Sequence, residues 1–297
     1  EKPIIIMSGL PGKMATLVAE TISKNQLEIF YLASTALTGP NQPKHQNIEG
    51  NRFFLYGPER HEEILEREIA ESFLPNHPKS QIVVDFTHPD AVNRNAELYC
   101  KYKIPFVMGT TGGDRKALEK IVVDSGNTAV IAPNMAKPIV FLQAMLDDIT
   151  KKLPGALSKF NYHFRESHQA AKQDVSGTAL AFSRNYFDKL ARPLNLPEKL
   201  KVEDVLKLGI KGVCPIRNKE VQLVLGVPEE HLDGHGWHTY TLESRDGTVK
   251  LEFTHNVNGR QVYADGTLDA IRFLHSKLGT KEARGKVYSM IDVLRGN

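Results

Sequence analysis

Five short, continuously apolar runs constrain this chain more than any other feature: PIIIMS (Pro3–Ser8), LEIFYLA (Leu27–Ala33), QIVVDF (Gln81–Phe86), IPFVM (Ile104–Met108) and TAVIA (Thr128–Ala132). Runs of this length and uniformity suit strands buried on both faces, and the segments between them supply the cover. MATLVAETISK (Met14–Lys24), Ala91–Tyr102 and Arg115–Ser125 have helical spacing. Short apolar strands alternating with helices predict an open, parallel α/β sheet.

In such sheets ligands gather at the carboxyl ends of strands. Two of these ends are rich in glycine. Gly9-Leu10-Pro11-Gly12-Lys13-Met14 joins PIIIMS to its helix. A strand, glycine turn and helix bring backbone close to a pyrophosphate and aim a helix N-terminus at it. Only two of three fingerprint glycines are present and Pro11 removes a donor, so a turn without a ligand is the alternative. Gly109-Thr110-Thr111-Gly112-Gly113 follows IPFVM. Gly109 would admit a cofactor ring and Thr111 a substrate carboxylate, whereas a flexible capping loop is the plainer reading. LEIFYLA ends in Ser34-Thr35-Ala36, without the acid that bonds a ribose 2′-hydroxyl. Small hydroxyls with Lys13 nearby suit a 2′-phosphate, so NADPH is the preferred cofactor and NADH a possible one.

The densest chemistry lies in FRESHQAAKQDVSGTAL (Phe164–Leu180). Glu166, His168 and Lys172 precede Ser176-Gly177-Thr178, which opens an amphipathic helix over Thr178–Leu190. Amides at a helix start beside a small hydroxyl residue attract a carboxylate or phosphate, and Lys172 adds a full charge. Only His168 exchanges a proton near neutral pH without perturbation. The bland alternative is an N-cap serine and a surface histidine. The whole string ESHQxxKxDxSGTA, however, resembles the signature of the dihydrodipicolinate reductase family. Further matches follow in order: GxxGKM, DFTHPDAVNxN from Asp85, GTTGG, the step Ala132-Pro133-Asn134-Met135, and a C-terminal stretch with Arg260, Tyr263 and Gly266.

That resemblance spans nearly the whole chain. It implies a Rossmann-like dinucleotide domain over residues 1–136 plus 260–297. An α+β substrate and oligomerisation domain, with a mixed or antiparallel sheet, is implied over 137–259. It further implies NAD(P)H-dependent reduction of a cyclic dicarboxylate in diaminopimelate and lysine synthesis, and a homotetramer. His168 becomes the candidate general acid, its pKa raised by an adjacent anion. Lys172 becomes a substrate anchor that can share the acid role, and Thr111, Gln169, Ser176, Gly177, Thr178 and Arg260 become substrate contacts. Phe86, Thr87, Gly109, Thr110, Thr111, Pro133, Asn134 and Met135 join the glycine turn as cofactor contacts. Gln169 stands where many bacterial members have a second histidine. The usual proline before Ser-Gly-Thr is also missing, with one residue fewer after the lysine. Both departures, and VPEEHxxGH (Val227–His235), resemble the plant-type branch. A non-catalytic assembly factor, or another small-dicarboxylate or imine reductase, is the competing expectation.

Elsewhere the sequence predicts a loop over Thr38–Asn51 and helices over His61–Ser72, Val140–Thr150 and Pro197–Leu208. Leu142, Met145, Leu146 and Ile149 are read as core. Strands are expected over Phe160–Arg165, Val221–Gly226, Gly236–Leu242 and Thr248–His255, with Asp246-Gly247 as a hairpin turn. His88 is read as a turn residue, and His231, His235 and His238 as an unconvincing zinc set, with no metal expected. A net charge of +3 without a basic cluster argues against nucleic acid. Two cysteines lack redox or metal spacing, and no apolar run reaches the roughly 20 residues of a membrane span. The start at Glu1 leaves room for a tag, leader or transit peptide. The compartment is expected to be cytoplasmic in a bacterium and the plastid stroma in a plant.

Overall fold

The computed structural model describes residues 3–25, 29–33, 45–72, 80–173, 175–193 and 213–296. Ser34, Thr35 and the expected helix Pro197–Leu208 lie outside the described residues. The chain divides into two compact units, Glu1–Val140 with Gln261–Asn297, and Phe141–Arg260.

Strands are numbered β1 to β13 along the chain. The first unit begins with β1 (Ile4–Ser8), β2 (Ile29–Ala33) and the hairpin β3–β4 (His45–Ile48, Asn51–Phe54). It continues with β5 (Gln81–Asp85), β6 (Phe106–Met108) and β7 (Thr128–Ile131). The second unit holds β8 (Phe160–His168), β9 (Arg192–Pro193), β10 (Val213–Ile216), β11 (His235–Ser244) and β12 (Lys250–Asn258), and β13 (Lys286–Tyr288) returns to the first.

All five apolar runs become strands of one parallel sheet, ordered β13-β7-β6-β5-β1-β2. Its residues alternate between two cores. Ile5, Met7, Ile82 and Val84 pack with helices Lys13–Lys24 and Gln261–Lys277. Ile6, Val83, Phe106 and Met108 pack with helices Val92–Lys101 and Arg115–Ser125. The chain leaves β1 for β2 on one side and resumes at β5 on the other. That reversal makes the carboxyl ends of β1 and β5 the switch point where open α/β sheets bind ligands.

The second sheet is mixed. β8 runs parallel to β10 and β9 and antiparallel to β11, which pairs antiparallel with β12. Tyr162, Phe164, Tyr240 and Leu242 on one face are buried with Phe182 and Phe187 of the helical segment Gly177–Leu190. Arg165, Trp237, Thr239, Thr254 and Asn256 line a shallow pocket on the other face.

Several expectations need correction. The loop expected over Thr38–Asn51 ends in the β3–β4 hairpin, because Glu49 and Gly50 take positive φ (47° and 78°) and bury Ile48 and Phe53 behind the turn. The strand expected over Val221–Gly226 is the helix Lys219–Val224. Asn218 caps it through Val221 N–H at 3.1 Å, and Gln222 donates to the His168 carbonyl at 2.7 Å, while Leu223 and Val224 stay exposed. Edge strand β10 was not expected, since Pro215 argues against a strand in sequence. The helix over 140–150 extends to Lys137–Lys152, but of its expected core stripe only Leu146 is buried, and Ile149 is 36% exposed. Ile139 and Val140 are buried instead. The helix after Ser176 contains a π-helical stretch, Ser183–Phe187.

Candidate active site

β8 runs three residues past its expected end and carries Glu166 and His168 on the buried face beside Phe164. The antiparallel register sets His238 opposite Glu166 and Gly236 opposite His168. The missing side chain at Gly236 makes room for the imidazole: a Cβ there would stand 3.0 Å from His168 Cε1.

Glu166 is fully buried. Arg217, just beyond β10, donates to its Oε1 at 2.7 Å and to its Oε2 at 3.3 Å, and Ser176 N–H reaches Oε1 at 3.3 Å. The same guanidinium donates to the Lys172 carbonyl at 2.9 Å, tying the loop after β8 to the carboxylate. Burial pushes the Glu166 carboxyl up despite the guanidinium. Lys172 is near enough for its charge to act on both Glu166 and His168.

His168 is 17% exposed, and both ring nitrogens are engaged. Nδ1 lies 3.0 Å from the His235 carbonyl, and Nε2 lies 3.1 Å from His238 Nε2 and 3.3 Å from Glu166 Oε2. Burial, with the charges of Arg217 and Lys172, lowers its pKa to about 4. Without an anionic ligand His168 is therefore neutral at pH 7. An acid role would depend on the rise expected from such a ligand.

The substrate residues expected from sequence fall into two groups. His168, Lys172 and the Ser176-Gly177-Thr178 helix start come together around Glu166, and the Gln169 carbonyl accepts from Lys172 N–H at 3.0 Å. Ser176 caps the helix through Ala179 N–H at 3.5 Å, and its own N–H is taken by Glu166. Arg260 is exposed just beyond β12, and Thr111 is exposed in the first unit's glycine loop.

His231, His235 and His238 do not converge. His235 Nδ1 faces the carbonyls of His231 and Leu232, and its Nε2 meets Ser167 Oγ at 2.8 Å. His238 instead meets Glu166 and His168, with one ligand-type atom of each within 4.8 Å of the others. The Arg217 fork already neutralises that carboxylate, and we read the cluster as hydrogen-bonded rather than metal-binding. Arg217, Gln222, Tyr240 and the placement of His238 were missed in sequence. Strand register assembles them, and linear spacing carries no sign of it.

In the first unit, Gly9 has φ +117°, and a Cβ there would stand 2.2 Å from the Phe86 carbonyl oxygen. The turn therefore packs directly on the end of β5. Gly12 N–H closes it onto Gly9 at 2.9 Å, and buried Leu10 anchors it. Helix Lys13–Lys24 begins with no side-chain cap and no acid in its first turn. Helix Arg115–Ser125, by contrast, is capped by Asp114 through Lys116 and Ala117 N–H. The open N-terminus after Gly12 suits an anion, and the capped one does not.

Thr87 and Thr110 turn their hydroxyls to Asp85, at 2.8 and 2.7 Å. Any cofactor contact from these two residues therefore falls to backbone in this arrangement. A Cβ at Gly109 would stand 2.3 Å from the Phe86 ring, so this glycine makes room for Phe86. Met135 packs its carbonyl against Gly266, where a Cβ would stand 1.7 Å away, and Asn134 Oδ1 accepts from Ala136 N–H at 2.9 Å. His88 accepts from Asp90 N–H at 3.3 Å, in agreement with a turn role.

Comparison with known proteins identifies the family over almost the whole chain. The sequence model of the dihydrodipicolinate reductase N-terminus matches residues 4–135, and that of the C-terminus matches residues 139–294. A probable 4-hydroxy-tetrahydrodipicolinate reductase 2, chloroplastic, of Oryza sativa subsp. japonica is 41% identical over 98% of this chain and 82% of its own length. The chloroplastic 4-hydroxy-tetrahydrodipicolinate reductase 2 of Arabidopsis thaliana is also 41% identical, over 98% and 77%. A dipicolinate-bound dihydrodipicolinate reductase from Paenisporosarcina sp. TG-14 shares the fold, with a TM-score of 0.64 at 16% identity over 97% of this chain and 98% of its own. The chain belongs to the dihydrodipicolinate reductase family.

Proposed function

We propose that the chain reduces 4-hydroxy-tetrahydrodipicolinate to tetrahydrodipicolinate with NAD(P)H, the reductase step of diaminopimelate and lysine synthesis. The observation that carries this reading is the meeting of His168, Lys172 and the Ser176-Gly177-Thr178 helix start around the Glu166–Arg217 pair. Lys172 and the helix-start amides hold one substrate carboxylate, with Gln169 as a further donor. Arg260 and Thr111 are the candidates for the remaining carboxylate contacts. The dianion raises the His168 pKa from its low resting value, and His168 then protonates the ring as it is reduced.

The reduced nicotinamide supplies the hydride. Its phosphates fit the first unit's glycine turn, where two glycines and an uncapped, acid-free helix start leave backbone donors without a competing side chain. NADPH is the preferred form. That preference rests on Lys13 and on the lack of an acid after the second apolar run. Plastid residence is supported by the chloroplastic relatives in rice and Arabidopsis. A homotetramer is supported by family resemblance and by the exposed apolar side chains Leu251 and Phe253 on β12. Light scattering on the purified protein tests the oligomer.

The deciding experiment follows NADPH and NADH oxidation while the preceding synthase generates substrate from aspartate semialdehyde and pyruvate. We expect turnover that falls at least about tenfold in His168→Ala and in Lys172→Ala, near 1.4 kcal/mol of transition-state stabilisation each. NADPH binding without turnover would favour an assembly role. Turnover that survives both substitutions would remove the proposed site.

A further inference from the structure

The short helix Lys219–Val224 is packed the wrong way round for an ordinary surface helix. Its one buried residue is Gln222, 2% exposed, while Leu223, Val224 and the following Leu225 are exposed. A buried amide costs free energy unless its N–H groups find acceptors. Gln222 Nε2 finds two: it donates to the His168 carbonyl at 2.7 Å and to the Ile216 carbonyl at 3.3 Å.

Both carbonyls lie where backbone pairing stops. β10 pairs with β8 as far as Ile216 opposite Ser167, one residue short of His168. The chain then leaves the sheet through exposed Ala170 and Ala171 and turns at Lys172, whose N–H donates to the Gln169 carbonyl at 3.0 Å. Side chains from the segment after β10 hold both ends of this turn. Gln222 takes the His168 carbonyl at its start, and Arg217 Nε takes the Lys172 carbonyl at its end, at 2.9 Å. Arg217 also pairs with Glu166, so removing it changes charge as well as position. Gln222 is uncharged, and its substitution isolates position.

His168 has other restraints. β11 pairs with it through Gly236, and its Nδ1 lies 3.0 Å from the His235 carbonyl. Among the described residues, no strand pairs with the turn over 169–172. Loss of the Gln222 amide therefore frees the turn more than it frees the imidazole.

We propose that Gln222 is a positioning residue for Lys172: it fixes the start of the 169–172 turn and so sets where the ammonium meets a substrate carboxylate, without touching substrate itself. This rests on the reductase reading above, in which Lys172 anchors the substrate. The role is one of uniform binding, so it belongs to KM for the dicarboxylate and not to kcat.

Gln222→Met keeps the length of the side chain and removes both donors. We expect KM for 4-hydroxy-tetrahydrodipicolinate to rise about fivefold, the size of one lost hydrogen bond, with kcat and the NADPH KM unchanged. In a Lys172→Ala background the same substitution should shift KM by less than about twofold, because the group it positions is gone. Gln222→Asn draws the amide back from the carbonyls by one methylene and should fall between wild type and Gln222→Met. It carries the test if Gln222→Met does not fold. Hydrogen exchange read by mass spectrometry follows the turn without turnover. A peptide spanning residues 168–173 should exchange faster in Gln222→Met, while one from β11 keeps its wild-type rate.

Wild-type KM in both variants would overturn the positioning role and leave the reductase reading intact. An equal rise in KM with and without Lys172, or a matching rise in the NADPH KM, would mean a general loosening and overturn it as well. If the wild type lacks turnover, the reductase reading fails, and unchanged exchange over 168–173 would overturn the positioning role by itself.

Discussion

Among the described residues, each unit buries one carboxylate at or near the end of a sheet strand and surrounds it differently. Asp85, at the end of β5, accepts among the described residues only from neutral donors: Thr87 N–H and Oγ1, Thr110 Oγ1, Asn95 Nδ2 and Tyr99 Oη, at 2.7–3.1 Å. The Tyr99 hydroxyl also reaches Ser8 Oγ, which meets His61 on the other side. Glu166, near the end of β8, is met by a guanidinium, one backbone N–H and an imidazole. The first arrangement is saturated by groups that do not titrate near neutral pH, so it braces the loops after β5 and β6. The second pairs a guanidinium with a buried imidazole, so its state answers to charge placed nearby. Two buried carboxylates alike in strand position thus serve different ends, and the chemistry of their donors decides which.

The sharpest break of this comparison is Arg217→Met. Removing one partner of a buried pair leaves an uncompensated carboxylate, and we expect a loss of roughly 3–5 kcal/mol by denaturant unfolding. Combining it with Glu166→Gln should restore most of that stability without restoring turnover. If the single substitution costs under about 1 kcal/mol, Glu166 is already protonated at rest and the contrast with Asp85 fails.

Asp85→Asn is the matching change in the first unit. It keeps the shape but turns an NH2 toward donors, so some of Thr87, Thr110, Asn95 and Tyr99 lose an acceptor. A loss of about 1–3 kcal/mol is expected. The pH profile of kcat should stay at wild type, because the groups that donate to Asp85 do not titrate near neutral pH and His61 is already neutral there. A displaced profile would place Asp85 in the chemistry.

These contacts also show what the sequence could and could not disclose. The apolar runs from Ile4 to Ile131 report their own burial, because a strand covered on both faces must be apolar throughout. The glycine turn is equally local: Gly9 and Gly12 are adjacent to the helix they open. Glu166 and His168 were visible because they share one short string with Lys172 and Ser176. His238 was noticed for its neighbours His231 and His235, yet its contacts lie 70 residues away on β8 and are fixed by the β8–β11 register. Arg217 follows a strand interrupted by Pro215, so neither the strand nor the ion pair had a local signature. Asp85 stood within a matched motif, but its role depends on Tyr99 and Thr110 reaching it from two other elements. Local patterns gave the elements, and the sites assembled by pairing stayed hidden.

Acid titration of stability sets the two regions against each other at intermediate size. His61, beside the brace, and His168, in the second cluster, both have folded pKa values lowered to about 4, chiefly by burial. Their unfolded values lie higher, so the unfolded chain binds more protons between pH 6.5 and 4. Stability is therefore complete above pH 6.5 and is lost as pH falls toward 4. At pH 5 each histidine accounts for roughly 2 kcal/mol. Denaturant unfolding at pH 7 and pH 5 should show His61→Gln losing its share of the acid sensitivity. A bound dicarboxylate should reduce the His168 share alone. Equal protection of both would mean that the ligand acts on the first unit as well.

The smallest effect belongs to Ser176→Ala, and it probes where the Glu166 network stops. Alanine keeps the N–H that reaches Glu166 and removes only the hydroxyl that caps the helix. At 3.5 Å from Ala179 N–H that cap is long, so its loss should cost about 0.5 kcal/mol, the low end for an N-cap serine. If the hydroxyl also holds substrate, KM should rise a few-fold while kcat and its pH profile stay unchanged, the pattern of lost uniform binding. A fall in kcat with constant KM would mean that the cap governs Glu166 through the position of its N–H. The serine would then belong with Arg217 among the groups that set the charge of the cluster, and the boundary between substrate binding and proton control would lie one residue further along the helix.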